Sequence, residues 1–187
     1  MHPYDRALRF VLPLGALALL VTVGLVGWLT QPDRFKRGVA PDQPIPFSHQ
    51  LHAGTMKIDC QYCHTDAGRS RSAGIPSVDT CMGCHKVTKT DSPHIQKLAK
   101  HFETGEPLRW NRVHDLPDHV FFDHRPHVNA GVACQTCHGE VQTMKVVSRE
   151  VGLRMSNCLA CHRDPHAALP KGSPITKAGE HCAACHR

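Results

Sequence analysis

FFDHRPHVNAGVACQTCH, residues Phe121 to His138, holds both halves of the chemistry around which this chain is built. Its last five residues run from Cys134 through Cys137 to His138, two thiols three apart with an imidazole directly after the second. That C-x-x-C-H pattern is the attachment site of c-type haem. The thiols add across the two vinyl groups of one porphyrin, and the imidazole is held beneath the iron. The pattern recurs at Cys60/Cys63/His64, Cys81/Cys84/His85, Cys158/Cys161/His162 and Cys182/Cys185/His186, so all ten cysteines are consumed. None is left for a disulfide or a catalytic thiol. The sequence predicts five covalently bound c-type haems (haem c), with His64, His85, His138, His162 and His186 as the proximal iron ligands.

Zinc is the rival reading. The 17 residues between Cys63 and Cys81 fall inside the spacing of a zinc ribbon. Five pairs is an odd number, however, and sites built from two pairs each would strand one of them. Every second cysteine is also followed by histidine, a residue that fills only 16 of 187 positions. Haem accounts for both facts and zinc for neither.

The first half of the quoted stretch is a repeat. PFSHQLHAGTMKIDCQYCH, Pro46 to His64, shares with it Phe, one residue, His, two residues, His, and then C-x-x-C-H. Each copy is followed by a second attachment motif, at Cys81 and at Cys158. Two tandem dihaem modules, about 47–90 and 119–165, therefore precede a fifth haem unit at 166–187. Together they form a pentahaem domain over 47–187. Between the copies, Ser92 and Pro93 open a helix with an apolar stripe of Ile95, Leu98, Ala99 and Phe102, ended by Gly105. No sheet is expected. Aromatic residues are only 5% of the chain, so porphyrin must supply much of the buried apolar surface. The fold class expected is mostly irregular with short α-helices.

Phe10 to Leu29 is a run of 20 residues without a charge, which as a helix spans about 30 Å, the thickness of the bilayer hydrocarbon. It ends in Trp28-Leu29-Thr30 with no small-x-small cleavage site. We read residues 1–30 as an uncleaved signal anchor, one N-terminal transmembrane helix, and the proline-rich residues 31–46 as a linker. Arg6 and Arg9 before the run and Arg34, Lys36 and Arg37 after it do not fix orientation. Haem attachment does, because c-type maturation takes place outside the cytoplasmic membrane. The chain is then a single-pass protein of the cytoplasmic (inner) membrane with its haem domain on the periplasmic, outer face. The formal charge of +6 does not indicate nucleic acid. Two propionates per haem add about −10, and the basic residues are their partners and solvated surface.

Five irons need five more axial ligands. His49 and His52, and His124 and His127, hold equivalent places in the two copies and are the first four choices. For the fifth the sequence favours His114, in the extended stretch RWNRVHDLPDHVFF. Met155, three residues before Cys158, is the alternative: a thioether there would raise that haem's potential. His94 and His101 share a helix face and read as solvated; His119, His166 and His181 rank with them. With all five motifs intact and histidines to spare, no iron is left open for substrate, so no catalytic residue is assigned.

The F-x-H-x-x-H…C-x-x-C-H arrangement resembles class III multihaem cytochromes c. That resemblance implies that His49 caps the haem on Cys60/Cys63 and His124 the haem on Cys134/Cys137, while His52 and His127 reach other haems. The signal anchor, PFSHQLHAG…CQYCH, WNRVHDLPDHVFFDHRPHV, CQTCHGEVQTM and LRMSNCLACHRDP together resemble the membrane-anchored pentahaem subunit of alternative complex III, a quinol:cytochrome c or electron-acceptor oxidoreductase. The resemblance implies an electron-transfer subunit of the respiratory chain rather than an enzyme by itself. Electrons from quinol oxidation would pass through the five haems to a periplasmic cytochrome c or terminal oxidase. Implied partners are an iron–sulfur, molybdopterin-like subunit, quinol-binding membrane subunits and a monohaem cytochrome c. A self-sufficient, membrane-anchored quinol dehydrogenase cytochrome is the other reading. The intact mass of the purified protein should exceed that of the polypeptide by five haem masses; the bare polypeptide mass would exclude both.

Overall fold

The computed structural model describes residues 3–30 and 37–186. The chain forms two compact units, residues 1–36 and 37–187. The anticipated flanking charges Arg34 and Lys36, and the first part of the linker, lie outside the described residues.

The first unit is one helix, Tyr4–Leu29, long and apolar enough to cross a membrane. None of its apolar side chains is buried within the chain. Leu12 N bonds back five residues to Ala7 O, closing a π-helical stretch over Ala7–Val11. Pro13, which has no N–H, follows immediately and cannot continue the regular ladder there. The hydroxyls of Thr22 and Thr30 return to the carbonyls of Ala18 (2.8 Å) and Val26 (2.7 Å), so neither is left unsatisfied.

The second unit contains short helices and, among the described residues, no strand. Its protein core is small. Ile45, Ala67, Met82 and Leu98 are its buried apolar residues. Three of them, Ile45, Met82 and Leu98, pack together with Ile95, Phe102 and Trp110 around them. The helix Pro93–Thr104 supplies one wall, with Ser92 ahead of it in extended backbone and Gly105 after it at φ 71°, which only glycine adopts without strain. It lies on the helix Val78–His85, which carries the second attachment motif. The entering chain is fastened to the same core: Lys97 Nζ donates to Pro44 O (2.9 Å), and Gln43 and Asn111 exchange hydrogen bonds of 2.9 Å each.

Arg149 is 2% exposed, a buried charge in a protein with little interior. Its guanidinium donates to Val113 O, from Nε at 3.1 Å and also from Nη2. Its backbone pairs with Gly38 and Val39 on the other side. Three segments distant in sequence meet at this one residue.

The two repeat copies differ locally and interlock. In the first, His49 leads into a π-helical turn, Gln50–Thr55. In the second, Asp123 accepts from Arg125 N and caps the helix His124–Asn129. Gln50 N bonds to Met144 O (2.9 Å), and a Cβ on Gly54 would sit 2.2 Å from Gln142 O, so this crossing demands glycine. On the other side Arg71 Nε donates to Phe122 O (3.0 Å) and Asn129 Nδ2 to Gly68 O (3.3 Å). The fifth unit is clipped back by an isolated antiparallel bridge between Val120 and His186, with Phe121 N donating to Cys185 O at 2.6 Å.

Leu98, 5% exposed, fills the small core. A Leu98→Ala variant should lose about 2–5 kcal/mol by denaturant unfolding. Val87→Ala, at a position 85% exposed, should change stability by less than about 0.5 kcal/mol.

Candidate haem-binding sites

Each C-x-x-C-H sits on a short helix: Cys60–Cys63, Val78–His85, Gln135–His138, Met155–Arg163 and Cys182–Cys185. A spacing of three puts both sulfurs on one helix face, and the next residue lies beside the first cysteine. The backbone shows that register directly. His64 N bonds to Cys60 O (2.9 Å), His138 N to Cys134 O (3.0 Å) and His186 N to Cys182 O (2.9 Å). All ten cysteines are free thiols, as thioether formation requires.

Opposite the motif histidines stand others. Two imidazoles bound through Nε2 to the two sides of one iron, at metal–nitrogen bonds of about 2 Å, have ring centroids about 6 Å apart. His52 and His85 are 6.3 Å apart, His124 and His138 6.2 Å with planes within 7°, and His127 and His162 6.0 Å. His119 lies 5.6 Å from His186, at 17° between planes. His64 is close enough to His49 to disfavour protonation of His49.

The ring tautomers are set by the backbone. A carbonyl only accepts, so an Nδ1 bonded to one must carry the proton, leaving the Nε2 lone pair for a metal. Among the motif histidines, Nδ1 of His64 donates to Gly74 O (2.7 Å), His85 to Thr88 O (3.0 Å) and His162 to Gly179 O (2.7 Å). Among those facing them, His52 donates to Ser48 O (2.9 Å), His124 to Arg71 O (2.9 Å) and His127 to Asp123 O (2.8 Å). Phe47 stacks on His52 at 4.4 Å and Phe122 on His127 at 4.6 Å. The phenylalanine of F-x-H-x-x-H therefore aims the second histidine. Together the free thiols, the 6 Å spacings and the locked tautomers fit haem.

His114 stands differently. It meets His138 edge-on with centroids 4.4 Å apart, too close for the two to face each other across one iron. Its Nε2 is buried with no hydrogen-bond partner. The sequence favours His114 for the fifth place; in the structure it is His119 whose ring lies 5.6 Å from that of His186. Nothing local to His119 marks it, since its position depends on the bridge from the chain's last residues. Met155 is 63% exposed at the start of its helix, and His127 takes the place facing His162. On the helix Pro93–Thr104, Nδ1 of His101 bonds to Glu106 O.

Burial is the main influence on the titrating groups. It lowers His49 and His114 to about 4, helped at His49 by His64 and His52, and at His114 by His138 and Arg149. Burial, then His124 and His64, also lowers His138. Their lowered pKa favours the neutral imidazole, the form that ligation of a metal through a ring nitrogen needs.

Two family models match the chain: class III cytochrome c over residues 28–107, and cytochrome c7 and related cytochromes c over residues 120–187. Among curated relatives, the multihaem cytochrome c subunit of menaquinone reductase from Nitratidesulfovibrio vulgaris is 30% identical over 146 residues, covering 78% of this chain and 62% of the relative. Multihaem cytochrome MtrA of Shewanella baltica is 25% identical over 131 residues, covering 69% of this chain and 35% of that one. The chain thus spans about three fifths of one relative's length and about a third of the other's. With the motif geometry, these matches support a class III-like multihaem c-type cytochrome that transfers electrons.

In the unfolded chain His114 binds a proton near pH 6.5, whereas in the fold it does so only near 4. Between these values the unfolded state holds more protons, so stability falls as pH drops from about 6.5 to 4 and is unaffected above that window. A His114→Asn variant should show a shallower decline in denaturant midpoint over the same range.

Proposed function

We propose that this cytochrome is the pentahaem electron-transfer subunit of a quinone-linked oxidoreductase in the cytoplasmic membrane. It would be held there by the helix Tyr4–Leu29, with residues 37–187 on the outer face. The observation that carries the reading is the set of four facing imidazole pairs, each including the histidine of one C-x-x-C-H motif, with His49 near the motif histidine His64 as the fifth. Bound haem supplies reversible one-electron exchange. The chain's part is to hold each iron between two imidazoles and leave it no open coordination position. The proposed pairs are His49 with His64, His52 with His85, His124 with His138, His127 with His162, and His119 with His186. Partners of the complex would be an iron–sulfur, molybdopterin-like subunit, quinol-binding membrane subunits and a monohaem cytochrome c.

Within the intact complex, a menaquinol analogue should reduce the haems of this chain, and added cytochrome c should reoxidise them. The isolated chain should not be reduced. Rapid reduction of the isolated chain would instead favour a self-sufficient quinol dehydrogenase. The name of the Nitratidesulfovibrio relative supports a second direction of flow, toward menaquinone. Reduction of menaquinone at the expense of prereduced haems would select it.

The ligand set has its own test. His119→Ala should convert one of five low-spin irons to high spin in the EPR spectrum. His114→Ala should leave all five low-spin, and the opposite pattern would return His114 to the ligand set.

A further inference from the structure

The order of the attachment motifs along the chain is not their order in space. We infer that the five sites stand in single file in the order second, first, third, fourth, fifth, with Cys81/Cys84 at one end and Cys182/Cys185 at the other. This inference rests on the five-haem reading.

Four junctions define the file. The second and first sites meet because His49 and His52 lie one turn apart and both touch the ring of Phe47, at 4.8 and 4.4 Å. His52 faces the second motif's His85, and His49 lies beside His64 of the first. The first and third sites meet where the modules interlock. The carbonyl of Arg71, in the loop after the first motif, accepts from both N (3.1 Å) and Nδ1 (2.9 Å) of His124, which faces the third motif's His138. Gly68 of the same loop accepts from Asn129. The third and fourth sites share the helix His124–Asn129, whose two histidines face His138 and His162. The fourth and fifth meet where Ala178 N donates to His162 O (3.1 Å), His162 Nδ1 to Gly179 O (2.7 Å) and Arg163 Nε to Glu180 (3.0 Å), just before Cys182.

The sulfurs lie in the same order. Cys63 neighbours Cys84 and Cys81; Cys60 neighbours Cys134; Cys137 neighbours Cys158 and Cys161; Cys158 neighbours Cys185. Each junction therefore brings attachment atoms of two sites together, and one-electron exchange along the file needs no step longer than one site.

The two ends differ. At the second site the helix Pro93–Thr104 packs over the motif helix and Met82 is buried. At the fifth, the helix Cys182–Cys185 buries none of its residues.

Interhaem contacts in the reduced, diamagnetic full-length protein in detergent micelles test the order. Intact mass comes first, since anything but five haem masses removes the five-haem reading and not the order. Each haem is then assigned through its thioether protons to its own cysteines, and NOEs between haems are read. Contacts between sites two and one, one and three, three and four, and four and five are expected. A direct contact between two and three, or three and five, or the lack of one between one and three, would overturn the file. A variant lacking the third site, Cys134→Ala with Cys137→Ala, should retain four haems that fall into two pairs with no NOE between them. If that variant does not fold, the wild-type pattern alone decides.

Discussion

A histidine can serve iron only through a nitrogen that carries no proton, and here the backbone decides which nitrogen that is. Six imidazoles give their Nδ1 proton to a carbonyl within 3.0 Å. The rest of the structure follows from satisfying those bonds. Ser48 and Asp123 offer carbonyls four residues ahead of His52 and His127, which forces a tight turn in each repeat copy. Arg71, Gly74 and Gly179 offer theirs from loops, so the loops are held wherever the imidazoles must point. In a fold with no strand among its described residues, these side-chain bonds do much of what a sheet ladder would do elsewhere.

The thinness of the apolar core has the same origin. Only around Ile45, Met82 and Leu98 does protein pack on protein in the ordinary way. Elsewhere the chain is a set of short helices and turns facing each other across spaces about 6 Å between ring centres. Folding energy that a larger domain draws from buried side chains must come here from bound porphyrin and iron–nitrogen bonds. Arg149 is the exception, a buried charge that braces residues 38–39 against Val113 through hydrogen bonds and not through hydrophobic contact.

What could be read in the sequence was whatever is local. The C-x-x-C-H motifs act within one helical turn, and the repeated F-x-H-x-x-H within two. The helix Pro93–Thr104 announced itself by Ser92, Pro93, a stripe of four apolar residues and Gly105. What could not be read depends on distant segments meeting. His119 gains its place only because Val120 pairs with His186, some 66 residues on. Nothing near it in the sequence separates it from His114, five residues earlier and equally flanked. The interleaving of the modules is likewise invisible, since Arg71 and His124 come together across a gap that no periodicity spans.

In each proposed pair the facing histidine precedes its attachment motif along the chain: His49 before His64, His52 before His85, His119 before His186, His124 before His138, His127 before His162. A polypeptide whose segments beyond the anchor emerge in order from residue 37 toward 187 would thus deliver the sixth ligand before the thiols that capture the porphyrin. No newly ligated iron would wait for chain still to come, with an open face vulnerable to oxygen or stray ligands. Biogenesis of such a cytochrome could proceed site by site, closing each centre as its cysteines emerge.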